Sequence, residues 1–102
     1  MDKIISFIGM GKKAGFISIG ETGAEIDIKK RKSSLVIVAE DASENTVKKF
    51  RNMADYRKTA FLQYGTKEEL GNILGKKAVS VISVSDRKFS EALLKKVEQQ
   101  RG

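Results

Sequence analysis

The stretch LVIVAEDASENT, residues 35–46, decides the fold of this 102-residue chain. Its first four residues are apolar and mostly β-branched, and acidic, hydroxyl and amide side chains follow almost at once. An apolar run of this length beside polar turn formers predicts a buried strand. Asp41 or Ser43 can then cap a helix, and Glu44 suits the positive end of a helix. A strand that leads directly into a helix is the unit of an α/β sheet, and such sheets bind ligands beyond their strand ends.

Helix and strand patterns alternate on both sides of this stretch. The predicted elements are a helix over 3–14, a strand over 16–19, a helix over 43–58, a strand over 59–63, a helix over 66–74, a strand over 78–84 and a last helix from Asp86. Thr66 with Glu69 three residues later is the pattern of a capping box, and Gly75 can end the same helix.

Residues 20–32, GETGAEIDIKKRK, do not follow this alternation clearly. Ala24, Ile26 and Ile28 are separated by charged residues, and a period of two predicts a strand. The architecture needs a helix here, between the strands over 16–19 and 35–38. The residues alone therefore leave this segment open between strand and helix.

The chain is basic, with 20 Lys and Arg residues against 13 Asp and Glu, which gives a net charge of +7. A basic domain without a hydrophobic anchor most often binds nucleic acid. The alternative is a solvated surface that happens to be rich in lysine. No apolar run approaches the roughly 18 to 20 residues that a membrane span needs, so we expect no membrane contact.

Cysteine and histidine are both absent. The chain therefore has no thiolate nucleophile, no imidazole base and no expected metal site or cofactor. Glu40 and Asp41 could bind a cation or transfer protons, but capping the next helix is the simpler role. We expect a protein that is not an enzyme, and the lack of cysteine fits a cytoplasmic location.

Four segments carry a resemblance to a known family: KKAGFISIGE (12–21), LVIVAEDASENT (35–46), EELGNILGKKAVSVISVSD (68–86) and FSEALLKKV (89–97). Together they resemble the kink-turn-binding ribosomal proteins of the L7Ae type, especially the bacterial YlxQ-like branch. The resemblance implies an α/β fold, a three-layer α/β/α sandwich with a four-stranded mixed sheet. It also implies that residues 21–30 are the second helix, so we expect a helix there. Residues 1–102 are then expected to form a single RNA-binding domain.

The resemblance also implies RNA binding, with structured RNA (a kink-turn or ribosomal RNA) and possibly the ribosome as partners. Relatives grip a sharply bent duplex with the turn that enters the second helix and with the loop before the last strand. Such a bent site exposes base edges that an A-form groove hides. Carried over position by position, the candidate RNA-binding residues are Gly20, Glu21, Thr22, Gly23, Val47, Lys67, Gly75, Lys76, Lys77, Ala78 and Val79.

The chain departs from its relatives in the first of these segments. Archaeal kink-turn binders have Gly-Ala-Asn-Glu and then a Lys three residues later, and the Asn and Glu bind guanines. Here Gly20 matches, but Thr22 and Gly23 replace the Asn and Glu, and Ile26 replaces the Lys. The alternative function is thus a ribosome-associated or protein-binding module that has lost base-specific readout. Nothing in the sequence demands an oligomer, and we expect a monomer.

The longest basic run is KKRK, residues 29–32. It falls at the C-terminal end of the second helix, where cations suit the helix dipole. A ten-residue helix is about 15 Å long, so this run lies far from the start of the proposed RNA-binding turn, residues 19–26. If the run binds RNA, it makes a second contact.

Overall fold

The structure is a computed structural model that describes residues 2–102. Its elements are α1 Lys3–Lys13, β1 Ile17–Ile19, α2 Glu21–Lys29, β2 Leu35–Val38, α3 Glu44–Arg57, β3 Ala60–Gln63, α4 Lys67–Leu74, β4 Val81–Val84 and α5 Arg87–Arg101. The strands form one sheet in the order β1-β4-β2-β3, in which β2 is parallel to β3 and β4 is antiparallel to both of its neighbours. The predicted α/β fold with a four-stranded mixed sheet is confirmed.

The central strand β2 is buried at all four of its positions. Leu35 and Ile37 belong to one hydrophobic core, which α1, α4 and α5 cover. Val36 and Val38 belong to a second core on the opposite face, which α2 and α3 cover. A strand covered on both faces must be apolar at every position, and this requirement explains the run LVIV. The result is the expected three-layer sandwich.

Residues Glu21–Lys29 form a helix, as the family resemblance implied. Ala24 and Ile28, four residues apart, are both buried against the sheet, whereas Ile26 is 46% exposed. Asp27 also faces inward, because its Oδ2 accepts a hydrogen bond from the hydroxyl of Ser18 on β1 at 2.7 Å. The alternation that favoured a strand came from the outward-facing isoleucine.

The polar residues after β2 divide between two helices. Ser43 caps α3, as one of the two predicted alternatives. The prediction that Asp41 caps the next helix is wrong, because its Oδ1 accepts from the backbone N–H of Lys67, at the start of α4, at 2.8 Å. The side chain of Glu40 is 59% exposed, and its carboxylate lies 3.9 Å from the guanidinium of Arg101 on α5. The chain turns sharply after Ala39, which directs the aspartate towards the more distant helix.

The last strand begins three residues later than predicted, at Val81. Before it, Val79 donates its N–H to the carbonyl of Lys67 at 3.0 Å, and Ser80 accepts from the N–H of Ala39 at 2.8 Å. These bonds attach the segment to α4 and to the end of β2. The segment is therefore a fixed loop and not part of a strand.

None of the helices formed by residues 2–102 is long and apolar enough to cross a membrane.

The helix α4 touches the loop before β4 with no space between them. A Cβ atom added to Gly71 would lie 2.9 Å from the backbone N and Cα atoms of Ala78 and from the carbonyl oxygen of Lys76. Backbone atoms cannot yield as a flexible side chain can. Only glycine therefore fits at this position of the helix.

We predict that Gly71→Ala lowers the free energy of unfolding by about 1–3 kcal/mol, because the loop must move. Gly23→Ala is the matched control: its Cβ would meet only the Cβ of Ser18, at an ordinary 3.6 Å. Since alanine favours helix over glycine, the control should be neutral or up to about 1 kcal/mol more stable. Urea unfolding measures both variants, and equal stabilities would contradict the close contact.

The side chain of Asp2 joins three elements. It caps α1 by accepting from the N–H groups of Ile4 and Ile5 at 2.7 and 3.1 Å. Its other oxygen accepts from the hydroxyl of Tyr64, just after β3, at 2.5 Å. That hydroxyl in turn accepts from the amide of Gln100 on α5 at 2.7 Å. Burial by itself raises the pKa of the Asp2 carboxyl, but these hydrogen bonds outweigh burial and the pKa is lowered.

A carboxyl with a lowered pKa in the folded state stabilises the protein above its unfolded pKa, and this contribution is lost as the pH falls through the folded pKa. We therefore expect Asp2→Ala to lower the free energy of unfolding by about 1–2 kcal/mol at neutral pH. The difference from the unmodified protein should shrink as the pH falls below roughly 4, the ordinary pKa of an aspartate, and then through the lowered pKa of the folded state. Urea titrations near neutral pH and well below the carboxyl pKa test this. A difference independent of pH would mean that the negative charge contributes nothing.

Candidate nucleic-acid interface

The turn before α2 and the loop before β4 lie side by side at one edge of the sheet. The N–H of Gly20 donates to the carbonyl of Val81 at 2.8 Å, which holds the turn against the start of β4. We call the surface between the two segments the edge groove. It is lined by Ile19, Gly20, Glu21, Lys76, Lys77, Ala78, Val79 and Ser80. The structure thus brings together the two segments that the sequence predicted as RNA-binding.

The backbone at Gly20 determines how the chain enters α2. Its φ of +96° and ψ of 166° fall in a region that residues other than glycine rarely adopt. Glycine offers no side chain to cap the first N–H groups of the helix, and no side-chain cap is formed. A helix N-terminus with uncapped N–H groups favours anions. The exposed residues Glu21 and Thr22 follow directly.

The loop on the other side of the edge groove displays two cations on a rigid base. Gly75 ends α4 with φ +74°, and the N–H of Lys76 donates to the carbonyl of Gly71 at 2.8 Å. From α1, the ammonium of Lys12 donates to the carbonyl of Leu74 at 2.6 Å. Lys12 is not among the sequence-predicted candidates, because no local spacing connects residues 62 positions apart. The side chains of Lys76 and Lys77 are exposed.

The remaining candidates support the edge groove to different degrees. Val79 is only 4% exposed and packs in the core beneath the loop. Lys67 is half-buried and is joined to Val79 through its carbonyl. Val47 lies elsewhere, in a separate depression on α3 that Lys48 and Arg51 also line. The structure does not place Val47 in the edge groove.

The positions that replace the guanine-binding side chains of relatives lie open on α2. Thr22 is exposed, and a side chain at position 23 would meet only the Cβ of Ser18 at 3.6 Å. Ile26 is 46% exposed. No close contact therefore prevents longer polar side chains at positions 22 and 23.

An ion-pair cluster holds α2 against α3. Glu25 accepts from the ammonium of Lys29 at 2.8 Å and pairs with that of Lys49 at 2.9 Å. Hydrogen bonds from Lys29, and then from Lys49, lower the pKa of the Glu25 carboxyl to about 2, and the same carboxylate raises the pKa of Lys49. All three groups are at the surface, so we assign this cluster a role in orientation and only a small one in stability.

The chemistry of the edge groove is that of an anion site. It combines uncapped backbone N–H groups with two lysine ammoniums and a single carboxylate, that of Glu21. Within the described range 2–102, no three His, Cys, Asp or Glu side chains are grouped so that they could hold a metal ion. Amide and ammonium donors of this kind suit phosphates.

Comparison with known proteins also points to a family of RNA-binding proteins. Residues 2–94 match the Ribosomal protein L7Ae/L30e/S12e/Gadd45 family. A protein of Bacillus subtilis (strain 168), named RNA-binding protein YlxQ, is 31% identical over 87 residues, which are 85% of this chain and 87% of that protein. Its namesake in Enterococcus faecium is 30% identical over 96 residues, or 94% and 92% of the two chains. Neither name describes an enzyme, in agreement with the expected absence of catalysis.

A solved structure supports the fold. The Giardia lamblia 15.5kD RNA binding protein matches with a TM-score of 0.77, covering 97% of this chain and 91% of its own. Its sequence identity is 18%, so the likeness concerns the fold alone. The family match extends over almost the whole chain, and both curated relatives cover most of it as well. The chain therefore belongs to the Ribosomal protein L7Ae/L30e/S12e/Gadd45 family, in its YlxQ-like branch.

Proposed function

We propose that this protein is a single-domain, monomeric RNA-binding protein that grips a bent, structured RNA of the kink-turn type through the edge groove. The observation that carries the proposal is the pairing of the turn at Gly20 with the loop at Lys76 and Lys77 in one groove. Family membership and the names of both relatives support RNA as the partner. Ribosomal RNA in the cytoplasm is the partner that best fits a ribosomal-protein family.

The physical basis is complementarity between a fixed protein edge and a fixed RNA bend. The N-terminus of α2 offers backbone N–H groups to a phosphate, and Lys76 and Lys77 offer charge to the backbone of the opposing strand. A bent, partly unstacked RNA presents its phosphates and base edges at angles that a regular A-form duplex does not. The loop and the turn are held by backbone hydrogen bonds, so little ordering is needed on binding.

Base-specific readout is the weaker part of this interface. Thr22 carries one hydroxyl, and Gly23 has no side chain with which to bind a guanine. Glu21 is the only carboxylate that lines the edge groove. We therefore propose that shape and phosphate contacts supply most of the affinity.

The second candidate function is a ribosome-associated or protein-binding module without base readout. The exposed Ile26 favours it, because this apolar side chain replaces a cation on the surface that relatives turn towards RNA. Both candidates share the same fold and differ in what covers the start of α2. A direct comparison of RNAs separates them.

We predict that a kink-turn RNA binds more tightly than the same RNA with its G·A pairs disrupted, and more tightly than a plain duplex. Lys76→Ala with Lys77→Ala should weaken kink-turn binding about tenfold or more and make the logarithm of affinity less dependent on salt, since phosphate contacts are lost. Lys88→Ala with Lys95→Ala is the matched control, because it removes the same charge from the exposed face of α5. Gel-shift titrations at several salt concentrations give the affinities.

Equal binding of all three RNAs at every salt concentration would reject recognition of the bend and leave general attraction to phosphates. If Lys76→Ala with Lys77→Ala bound the kink-turn RNA as tightly as the control Lys88→Ala with Lys95→Ala, the edge groove would not be the binding surface.

A gain of function tests whether the missing side chains limit readout. We expect Thr22→Asn with Gly23→Glu to raise affinity for the kink-turn RNA about tenfold, since one good base contact is worth about 1–3 kcal/mol. The control is Thr22→Ala with Gly23→Ala, which adds no group able to bind a guanine. If both variants bound equally, the turn would not approach the bases. The same titration with G·A-disrupted RNA should show no gain.

A further inference from the structure

A second polar depression lies at the other end of the strands from the edge groove, where β2 and β3 begin and β4 ends. We call it the basal depression. It has a volume of about 390 Å³. Four cations line it, namely Arg31, Lys32, Lys58 and Arg87, with the single carboxylate of Glu91. The proposed function described above makes no use of this surface.

The cations of the basal depression are not neutralised by the protein itself. In the described part of the chain, none of the four forms a salt bridge, and the three pairs that do form involve other cations. Asp86, close by in sequence, uses its Oδ2 to cap α5 by accepting from the N–H of Phe89 at 2.8 Å. Like charges gathered in one concave site raise the local potential and attract anions.

Two of these cations occupy strained backbone positions. Arg31 has φ +60° and Lys58 has φ +58°, and they are the only residues other than glycine with positive φ in the range 2–102. Glycine or asparagine adopts this conformation at a lower cost. The helix dipoles do not require cations at these two positions, because Lys29 and Arg57 already lie in the last turns of α2 and α3. Helices often end with a residue in this conformation, usually glycine, and here both positions carry a cation that lines the depression instead.

The wall of the basal depression contains a hydroxyl without a partner. Ser90 on α5 is 3% exposed, and its Oγ has no hydrogen-bond partner among residues 2–102. Buried polar groups are nearly always paired, so an unpaired one calls for an explanation. A bound oxyanion would supply the acceptor.

An exposed aromatic ring, that of Tyr56, lines a separate depression together with Lys29 and Arg57, whose chain neighbours lead into the basal depression. Tyr56 is 83% exposed and precedes Lys58 by two residues. The guanidinium carbon of Arg57 lies 5.6 Å from the centre of its ring, and that guanidinium also donates to the carbonyl of Lys29 at 3.3 Å. An exposed ring beside cations is the arrangement on which unpaired bases stack.

We propose that the basal depression and Tyr56 form a second RNA-binding surface that takes an unpaired strand. The phosphates of the strand enter the depression between Arg31 and Lys58, and one base stacks on Tyr56. This inference rests on the proposed RNA-binding function but uses different residues. The molecule measures 33 × 28 × 27 Å, so the two surfaces contact separate segments of RNA. A duplex offers phosphates to the depression but no base to Tyr56, because its bases are already stacked and paired.

The test measures fluorescence anisotropy with an unpaired RNA of about 12 nucleotides, a length within the usual site size. Arg31→Gly with Lys58→Gly should weaken binding at least about tenfold and reduce the slope of log affinity against log salt by about 1.4, the value for two lost phosphate contacts on a single strand. Because glycine relieves the positive φ at both positions, the thermal midpoint should stay equal or rise. Loss of binding cannot then be attributed to unfolding.

Tyr56→Ala should weaken binding of the unpaired strand by about fivefold or more, since stacking is worth about 1–3 kcal/mol per base. Tyr56→Phe keeps the ring and should bind as the unmodified protein does. The control that removes two cations elsewhere is again Lys88→Ala with Lys95→Ala. If Arg31→Gly with Lys58→Gly weakened binding no more than this control, the inference would be wrong. If a duplex bound as tightly as the unpaired strand, and Tyr56→Ala did not change its affinity, the proposed preference for an unpaired strand would be wrong.

The two surfaces can fail separately. Lys76→Ala with Lys77→Ala should weaken binding of the kink-turn RNA and leave binding of the unpaired strand unchanged. Kink-turn binding that depends on these lysines, without any effect of Arg31→Gly and Lys58→Gly on the unpaired strand, keeps the proposed function and rejects the second surface. The opposite pattern supports the second surface and rejects the edge groove.

Discussion

The burial of β2 on both faces is the constraint on which the rest of this structure depends. Leu35 and Ile37 must be covered on one side and Val36 and Val38 on the other, so helices have to lie on both faces of the sheet. The strand β4 lies beside β2 and is buried at all of its positions as well. With both faces covered, the parts of the sheet that remain open to a ligand are the two ends of the strands.

Each of these ends carries a different kind of surface. At one end, the backbone of Gly20 and Val81 holds the turn before α2 beside the loop with Lys76. At the other, the C-termini of α2 and α3 place Arg31 and Lys58 around a depression. Because strands of the same sheet run between both ends, the two surfaces keep a fixed distance and orientation. A fold of this kind needs no moving part to offer both of the proposed surfaces to RNA.

Most of the fold could be predicted from residues, and the exceptions have physical causes. Local patterns identified β2 and the capping box of α4, because both depend on neighbouring residues only. The period of α2 was misleading, since Ile26 is apolar and yet faces outward, and a family resemblance was needed to assign the helix. Long-range contacts were beyond any local pattern: Asp41 accepts from the first N–H of a helix 26 residues away, and Lys12 donates to the carbonyl of Leu74. The edge groove was likewise predicted through the resemblance, which also led to Val47, a residue that lies outside it.

The replacement of guanine-binding side chains at Thr22 and Gly23 leaves the geometry of the edge groove intact, because backbone atoms create that geometry. The turn depends on the conformation of Gly20, and the loop depends on the contact of Gly71 with the backbone around Ala78. An interface built from backbone donors and lysine ammoniums recognises where phosphates are and not which bases they carry. Under the proposed function, such an interface selects RNA by its bend, and its affinity varies strongly with salt. In this proposal the choice of RNA partner rests on shape, and the proposed second contact with an unpaired strand restores selectivity that the turn lacks.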